Sequence, residues 1–273
     1  MKNIKDSCCV LNAGSGSWAF EPLAERLSSA LGLGISAKPR SYNYVLSLDG
    51  DIDEFCGASF IPLAAVRLAA DKRLIATAFS EHNVPTPKTL LLNLFAEVSA
   101  YTAAHPDSRW CLKFPIGCGG NGHRLLSPDD REPPRWPRPF VVQEFIPLER
   151  PEVYRVYCAG GELFGWVVRR FPPTAQSSPW LAHARGARYT SLGQPPLDAL
   201  AAARSALIAT GLIDSFGCAD LVQRPNGDWV VLEVGADGIF NHVDRDIGDS
   251  SLESELDERL ASAFWKSAHL RGH

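Results

Sequence analysis

The stretch CADLVQRPNGDWVVLEV, residues 218–234, contains two runs of alternating apolar residues on either side of the turn sequence RPNGD. An Asn-Gly pair between two such runs is the strongest short-range signal for a hairpin closed by a two-residue type I′ turn. With Asn226-Gly227 as the loop, Asp220 on the first strand lies directly opposite Glu233 on the second. The stretch therefore predicts an antiparallel hairpin that brings two carboxylates together across neighbouring strands.

Two like charges in direct cross-strand opposition destabilise a sheet, since their Cβ atoms are roughly 4.5–5.5 Å apart. A divalent cation shared by Asp220 and Glu233 would compensate, and Mg²⁺ favours one or two carboxylates together with substrate phosphates. Mn²⁺ is the alternative ion. Two other interpretations stay open: the carboxylates point apart into solvent at a sheet edge, or a nearby arginine neutralises them. The apolar residues that flank both carboxylates favour the metal.

A glycine-rich stretch precedes this hairpin by about a hundred residues. Residues 117–122 read GCGGNG and follow an apolar run at 110–114. The spacing satisfies G-x-G-x-x-G, but a dinucleotide site needs a helix next, and residues 123–128 predict a short strand and a turn. We therefore expect a glycine hairpin whose backbone N–H groups, around Gly119, Gly120 and Gly122, can bind phosphate. A plain glycine-rich turn is the equally open alternative.

Two lysines stand where they could contact the same phosphates. Lys113 is the only charge in the strand before the glycine loop, and a charge in a half-buried strand needs a partner. Lys72 opens a helix predicted over residues 71–83, where a solvated position is a sufficient explanation. Phosphoryl transfer requires such cations, because negative charge spreads over the transferred group.

Two arginines lie on a further pair of predicted strands, residues 153–158 and 163–169, joined by Gly160-Gly161. Arg155 and Arg169 have the side chain that binds phosphate or carboxylate with two hydrogen bonds. A two-residue turn places them on opposite faces of the sheet, so only one faces a ligand unless the loop is longer. The alternative for these arginines is an ion pair with Glu152.

The rest of the chain is predicted from hydrophobic periodicity and from the Gly, Pro and Asn residues that mark turns and helix ends. The predicted elements are strand-like runs at 8–12, 44–48 and 140–146 and helices over 20–33, 197–210 and 251–266. Residues 171–196 are rich in Pro, Ser and Gly, and they predict a long mobile segment resembling a lid. Within it, His183, Arg185 and Arg188 are candidates for substrate contact, with solvated loop positions as the more ordinary interpretation.

Composition limits the classes of function. The 273 residues are 45% hydrophobic with a formal charge of -4 and scattered basic residues, which does not suit nucleic-acid binding. No run approaches the roughly 20 apolar residues of a membrane span, so we expect a cytoplasmic protein without a membrane partner. Seven cysteines, none in a C-x-x-C pair, are expected to be reduced and structural. They occupy positions 8, 9, 56, 111, 118, 158 and 218.

The order of these pieces resembles the ATP-grasp superfamily, and in particular RimK-like (ribosomal-protein S6 glutamate ligase-like) ligases. The similar passages are DKRLIATAFSEHNVPTPKT, WCLKFPIGCGGNG, VVQEFI, YRVYCAGGELFGWVVRR and CADLVQRPNGDWVVLEV. The resemblance implies an α/β and α+β fold of three lobes. We expect a short N-terminal α/β lobe over residues 1–70, a central lobe over 71–146 and a C-terminal lobe with the metal site over 147–273.

The resemblance also implies roles for individual residues. Lys72 and Lys113 would bind the ATP phosphates under the glycine loop, and Asp220 and Glu233 would bind Mg²⁺. Arg155 and Arg169 would be catalytic, holding the γ-phosphate and the acyl-phosphate. The other implied contacts are with the nucleoside: the hinge Glu144, Phe145 and Ile146 with adenine, and Glu152 with ribose.

This sequence departs from the family pattern twice. The family often has Glu-x-Asn at the second metal strand, whereas this chain has Gly235 at the Asn position, with Asp237, Asn241 or a water as candidate replacements. At the position where the family has an acidic residue that contacts the ribose, this chain has Val153. The neighbouring Glu152 is therefore assigned to that contact.

The implied activity is ATP-dependent joining of a carboxylate to an amine through an acyl-phosphate, with small molecules or peptides as substrates. The sequence contains no G-x-S-x-G nucleophile motif, which suits a reaction that depends on positioning and charge stabilisation. Two alternatives remain at this stage: an ATP-grasp kinase acting on a small molecule, and a nucleotide-binding regulatory protein without turnover. An oligomer is compatible with the sequence.

Overall fold

The computed structural model describes residues 4–48, 55–117, 119–148, 151–173, 178–236 and 242–272, which form three sheets and seven α-helices among the described residues. The helices are α1 Glu21–Leu31, α2 Leu63–Ala70, α3 Lys72–Glu81, α4 Phe95–Ala104, α5 Leu197–Ala209, α6 His242–Ile247 and α7 Ser251–Leu270. Among them, none is long and apolar enough to cross a membrane.

The first sheet is parallel, with the order β2-β1-β3-β4. Its strands are β1 Cys8–Asn12, β2 Ile35–Ser36, β3 Tyr42–Ser47 and β4 Ala58–Ser59. Strand β1 is buried almost throughout, as expected for a strand covered on both faces. Helix α1 covers one face and ends at Gly32, whose φ of 64° is the left-handed conformation that closes a helix.

The C-terminal helix α7 completes the core of this first sheet. Phe264 packs against Tyr42 with ring centroids 5.0 Å apart. On the helix surface, Arg26 of α1 bridges Glu253 at 2.8 Å and Asp257 at 2.7 Å. The last element of the chain is therefore attached to the first.

The second sheet carries the predicted glycine hairpin and has the order β5-β8-β6-β7. Its strands are β5 Thr89–Leu92, β6 Trp110–Lys113, β7 Arg124–Leu125 and β8 Phe140–Glu144. Cys111 pairs with Leu125 in antiparallel register, so a strand rather than a helix follows the glycines, as predicted. Helix α3 begins beside this hairpin: Asp71 caps it by accepting from the Arg73 N–H at 2.9 Å, and the Lys72 N–H donates to the Pro115 carbonyl at 2.9 Å.

The third sheet is antiparallel with the order β11-β10-β9-β12-β13. Its strands are β9 Val153–Ala159, β10 Glu162–Arg170, β11 Arg188–Ser191, β12 Phe216–Gln223 and β13 Trp229–Gly235. Helix α5 packs against its two last strands through a face of small alanines. This sheet carries Arg155, Arg169, Asp220 and Glu233 on strands β9, β10, β12 and β13.

The β12–β13 hairpin pairs Asp220 with Glu233, as predicted, but by a different route. Its turn is not the predicted two-residue loop: the Gly227 N–H donates to the Arg224 carbonyl at 2.9 Å, and the Arg224 N–H donates to the Asp228 carbonyl at 2.8 Å, which leaves three residues in the loop. That extra residue shifts the register by one, and a bulge between Asp220 and Leu221 shifts it back.

The β9–β10 hairpin corrects the prediction that Arg155 and Arg169 lie on opposite faces. Its turn does have two residues, since Ala159 pairs with Glu162. However, a bulge at Gly165, whose φ is 62°, inserts one residue into β10. The side-chain alternation flips beyond the bulge, so Arg169 joins Arg155 on one face.

The composition predicted a long mobile segment over residues 171–196, but part of this segment has secondary structure. Its part Arg188–Ser191 forms strand β11, which pairs with residues 167–170 of β10, and a single 3₁₀ turn spans His183–Arg185. Strand formation here is non-local: β10 supplies a free edge on which a sequence of weak periodicity can pair. The cysteines at 8, 9, 111, 158 and 218 are buried, Cys56 is exposed, and none of these six forms a disulfide.

Candidate active site

A cleft of about 660 Å³ lies between the glycine-hairpin sheet and the five-stranded sheet. It is the size of a small-molecule site. Every residue to which the resemblance assigns a role, except Gly122, lines it; of the candidates in the segment 171–196, His183 lines it and Arg185 and Arg188 do not. The lining members of that set are Lys72, Lys113, Gly119, Gly120, Glu144, Phe145, Ile146, Glu152, Arg155, Arg169, Asp220 and Glu233.

Asp220 is the electrostatic centre of the five-stranded sheet. Its side chain is 2% exposed and accepts from Arg155 Nε at 2.6 Å, Arg155 Nη2 at 3.0 Å and Arg169 Nη2 at 3.1 Å. Burial raises the pKa of the Asp220 carboxyl, but the two guanidinium groups outweigh it and hold that pKa below its ordinary value. The arginine interpretation of the sequence therefore applies to Asp220, which Arg155 and Arg169 pair with directly.

Glu233 differs from Asp220 although the two are cross-strand partners. Its half-buried carboxylate lines the cleft and makes no hydrogen bond or ion pair with any described residue. A carboxylate has about four lone-pair positions, so Glu233 keeps all of its own while Asp220 keeps about one. Glu233 is thus the main candidate ligand for a cation, with Asp220 as a monodentate second.

The donor set fits a hard divalent cation that takes most of its ligands from elsewhere. Among the described residues, no group of three or more His, Cys, Asp or Glu side chains could hold a metal. Mg²⁺ characteristically takes one or two carboxylates and completes its octahedron with water and substrate phosphate. The candidates Asp237 and Asn241 lie outside the described residues.

Lys113 extends from β6 towards the acidic residues on the other side of the cleft. Burial lowers the pKa of its ammonium group, and Glu233 is among the charges that raise it. Its Nζ forms no hydrogen bond with a described residue, whereas Lys72 Nζ donates to the Gly117 carbonyl at 2.7 Å. Lys113 is therefore a cation without a fixed anionic partner, which is what binding of a phosphate requires.

The glycine hairpin is covered by the segment 178–187. Gly119 and Gly120 both have φ near 70°, a conformation that favours glycine. Arg185 donates to the carbonyls of both at 3.2 Å, and Trp180 packs so closely on Gly120 that a Cβ there would lie 2.8 Å from the tryptophan Cβ. Gly122 points away from the cleft, where a Cβ would meet Phe114 at 2.9 Å.

The predicted hinge lies at the other end of the cleft. Glu144 is held outward by Arg224 in a two-hydrogen-bond pair at 2.8 and 2.7 Å, so its side chain is structural. The Phe145 N–H donates to the Arg109 carbonyl at 2.8 Å. Of the three hinge amides, only that of Ile146 has no acceptor among the described residues.

Glu152 lines the cleft next to the hinge but is already engaged. Its carboxylate accepts from the Tyr154 hydroxyl at 2.5 Å and lies 3.5 Å from Arg170 Nε. The sequence-based alternative, an ion pair of Glu152 with Arg155 or Arg169, is wrong, because both of those arginines bind Asp220. A ribose contact by Glu152 stays a prediction.

Three cleft residues were missed by the sequence analysis. Trp180 contacts two aromatic rings that also line the cleft, Phe145 at 5.7 Å and His123 at 5.5 Å between ring centroids. The Tyr189 hydroxyl accepts from Arg169 Nη1 at 2.8 Å. His123 Nδ1 accepts from the Phe114 N–H at 3.2 Å, and burial together with Lys113 lowers the pKa of His123 to about 3. Single aromatic residues in loops carry no local pattern, so sequence alone offered no signal for them.

Solved structures match this chain over nearly its whole length. D-cycloserine synthetase DcsG has a TM-score of 0.65 and 16% identity, with 96% of this chain and 99% of that chain covered. The ATP-grasp ligase PsnB, complexed with minimal precursor, has a TM-score of 0.67 and 15% identity, covering 94% and 98%. D-alanine–D-alanine ligase from Bacillus anthracis has a TM-score of 0.65 and 12% identity, covering 97% and 96%.

No protein-family profile matches the sequence, and no curated protein matches it significantly. At identities of 12–16%, the structural similarity is evidence for the fold alone. The predicted ATP-grasp fold is confirmed by neighbours that cover nearly the entire chain.

Proposed function

We propose that this protein is an ATP-dependent carboxylate–amine ligase that works through an acyl-phosphate. The observation that carries the proposal is the grouping of opposite charges at one end of a single cleft. Lys113, Arg155 and Arg169 supply positive charge there, and Glu233 supplies a carboxylate that has no partner among the described residues. Such an arrangement suits a transferred phosphoryl group and its metal better than it suits any neutral ligand.

The hinge end of the cleft suits a nucleobase. Apolar walls there are provided by Phe145, Leu148, Val222 and Leu232. The amide of Ile146 is a donor that no described residue engages. Phe145 is held between Trp180 and the guanidinium of Arg109, whose Cζ lies 5.1 Å from the ring centroid. A planar base lying against these walls would direct its polar edge to the Ile146 N–H.

The phosphate end suits transfer to a carboxylate. In the first step, a carboxylate oxygen of the donor substrate attacks the γ-phosphorus and the bond to ADP breaks. Arg155 and Arg169 are held rigid by Asp220, so their remaining N–H groups need little reorganisation as charge moves to the phosphoryl oxygens. Arg169 Nε is a buried donor with no acceptor among the described residues, which leaves it available to an anion.

Glu233 and the last lone-pair position of Asp220 would hold Mg²⁺, or Mn²⁺, together with phosphate oxygens and water. When bound, such an ion neutralises phosphate charge. The structural neighbour PsnB has been solved with Mg and ADP.

The finer assignment to RimK-like ligases rests on the five passages in matching order. Peptide and small-molecule substrates are both in keeping with the structural neighbours, which include a ligase complexed with a precursor peptide and D-alanine–D-alanine ligase. We also propose the three-lobe division at residues 70 and 146, with the addition that α7 packs on the first lobe.

Hydroxylamine tests the proposal without knowledge of the substrate, because it traps acyl-phosphates as hydroxamates. Purified protein is incubated with Mg·ATP, hydroxylamine and a panel of amino acids and short peptides. We expect phosphate release and a hydroxamate, detected by mass spectrometry, with some members of the panel.

The Glu233→Gln variant serves as the matched control, since it removes a charge that no described residue contacts. It should bind ATP in the absence of metal as the parent does, and it should yield no hydroxamate. A stable phosphorylated alcohol without hydroxamate would replace the ligase with a kinase, and ATP binding without any turnover would favour a regulatory protein.

A further inference from the structure

His123 belongs to the glycine hairpin, and its side chain lines the cleft. Its backbone N–H donates to the Gly120 carbonyl at 3.3 Å, which ties the residue to the glycine turn. Its ring contacts Trp180 edge to face, with the centroids 5.5 Å apart and the planes at 89°. The imidazole is thus held in the cleft wall by both the glycine hairpin and the segment that covers it.

A backbone hydrogen bond determines which nitrogen of the His123 ring carries the proton. Nδ1 lies 3.2 Å from the backbone nitrogen of Phe114, and that N–H can only donate, so Nδ1 is the unprotonated nitrogen. In a neutral imidazole the proton is then on Nε2. The ring is neutral, because burial and the charges of Lys113, Lys72 and Arg185 lower its pKa to about 3. His123 therefore presents an uncharged N–H donor.

The Nε2–H group of His123 has no acceptor among the described residues. The hydrogen bond at Nδ1 is the one that the ring makes with a described residue. The side chain is half-buried, and Nε2 is not one of the unpaired polar atoms that are sealed from solvent within the described ranges. Because His123 lines the cleft, this donor is accessible to a ligand bound there.

Three cations from separate parts of the chain surround the donor. Lys113 is on β6, Lys72 begins helix α3, and Arg185 is in the 3₁₀ turn. The positive charge of each contributes to the lowered pKa of His123. Glu233, the main candidate ligand for a metal, is in turn among the charges that act on Lys113. Positive charges that converge beside a metal position suit the phosphates of a nucleotide.

A neutral donor suits this position better than a further cation. A fourth positive charge would add to the repulsion among Lys113, Lys72 and Arg185 whenever the cleft holds no anion. An imidazole N–H supplies a hydrogen bond without that charge. Because the acceptor would be an ionised phosphate oxygen, the bond would still be stronger than one between two neutral groups.

We propose that His123 donates its Nε2–H to an oxygen of the β- or γ-phosphate of a bound nucleoside triphosphate. The proposal rests on the ATP-dependent function proposed above. It adds a phosphate-binding side chain to the glycine hairpin, beyond the backbone N–H groups that the sequence led us to expect there. Since the same ring contacts Trp180, it also connects the phosphates to the segment that covers the hairpin.

Two substitutions separate the roles of the two ring nitrogens. His123→Asn keeps an acceptor near the Nδ1 position for the Phe114 N–H but has no donor at the Nε2 position. His123→Gln reaches the Nε2 position with an amide N–H but leaves the Phe114 N–H without its acceptor. Isothermal titration calorimetry measures the affinities of parent and variants for Mg·ATP and AMP, and denaturant unfolding measures their stabilities.

We expect His123→Asn to bind Mg·ATP about 10–100-fold more weakly than the parent, because the lost hydrogen bond has a charged acceptor. Its affinity for AMP, which has neither a β- nor a γ-phosphate, should stay near that of the parent. His123→Gln should recover most of the lost ATP affinity although it is the less stable of the two variants. A purely structural role predicts the reverse order, with ATP affinity following stability.

Nuclear magnetic resonance of protein with isotope-labelled histidine tests the position of the proton directly, and His123→Asn identifies the signals of this ring. We expect Nδ1 to be unprotonated and Nε2 protonated at neutral pH, both without nucleotide and with Mg·ATP. Two protonated ring nitrogens in the ATP complex would replace the neutral donor with a cation and overturn the proposal.

Unchanged ATP affinity in His123→Asn would also overturn the proposal. Equal losses of ATP and AMP affinity would do the same, because the contact would then not be with the β- or γ-phosphate. A parent protein that binds no ATP would defeat both this contact and the function on which it rests. ATP binding that shows the expected pattern, without hydroxamate from any carboxylate, would defeat the ligase function alone.

Discussion

The two sides of the cleft are built differently. The cleft floor, formed by strands β9, β10, β12 and β13, holds its charges in a buried network with Asp220 at the centre. The cleft cover, formed by residues 114–117, 119–123 and 178–187, is held by exposed arginine contacts and aromatic edges, such as Arg185 on Gly119 and Trp180 on His123. The floor is therefore preorganised, whereas exposed contacts hold much of the cover.

This difference between floor and cover indicates which substitutions should affect stability and turnover together and which should affect turnover alone. A change in the buried network around Asp220 should alter both, because its residues hold the sheet together and also line the cleft. A change in the cover should alter ligand handling and pH response while leaving most of the stability intact.

The largest expected effect is on Asp220. Asp220→Ala leaves Arg155 and Arg169 buried without their anion, which should lower the free energy of unfolding by about 3–5 kcal/mol. Glu233→Ala removes a carboxylate that no described residue contacts and should change it by at most about 1 kcal/mol. Denaturant unfolding of the two variants measures the difference, and both should lose turnover.

The sequence alone leads to a different expectation: removal of either carboxylate relieves the repulsion between Asp220 and Glu233 and leaves the fold intact. Equal stability of the two variants would show that Asp220 is not the centre of the floor network. Preserved turnover in Glu233→Ala with saturating Mg²⁺ would argue against the shared metal site.

A smaller effect is expected at the bulge that places Arg169. Gly165→Ala puts a side chain at φ 62° and 2.7 Å from the Leu252 Cδ1 atom, so we expect a loss of about 2–3 kcal/mol together with reduced turnover. Gly161→Ala in the turn of the same hairpin has φ 90° but open space around its Cβ. It should cost about 1–2 kcal/mol and leave turnover intact.

Thermal unfolding and hydroxamate formation, measured on both variants, check this pair. If Gly161→Ala reduces turnover as much as Gly165→Ala, then the bulge is not what brings Arg169 to the cleft.

The smallest effect concerns His123 in the cover and depends on pH. Folded His123 has its pKa lowered from 6.5 to about 3, so below pH 6.5 the unfolded chain takes up a proton that the folded chain does not. Stability contributed by the neutral ring is therefore complete above pH 6.5 and falls as the pH is lowered towards 3. At pH 5 the loss should be about 1–2 kcal/mol.

His123→Asn retains an acceptor for the Phe114 N–H but cannot titrate. The free energy of unfolding of parent and variant is measured at pH 7 and pH 5. Between these pH values the parent should lose stability at this site and the variant should not, so the variant should be more stable relative to the parent at pH 5 than at pH 7. A constant difference would place His123 in solvent.

Local sequence determined a large part of this protein. The glycine hairpin after β6, the helix capped by Asp71 and the existence of the β12–β13 hairpin all follow from residues close together in the chain. Periodicity, turn residues and caps act over a few residues, so the sequence displays them directly. The ATP-grasp resemblance rested on the order of these same pieces.

Tertiary structure decided the chemistry of the cleft. A bulge at Gly165 brought Arg169 to the face of Arg155, and a three-residue turn offset by a second bulge preserved the pairing of Asp220. Bulges depend on packing against neighbouring elements, and an insertion of one residue reverses the face of all that follow. The pairs that define the site join residues 51 to 65 positions apart, such as Arg169 with Asp220 and His183 with Asp246. No local pattern records such a distance, since it exists only once the five-stranded sheet has formed.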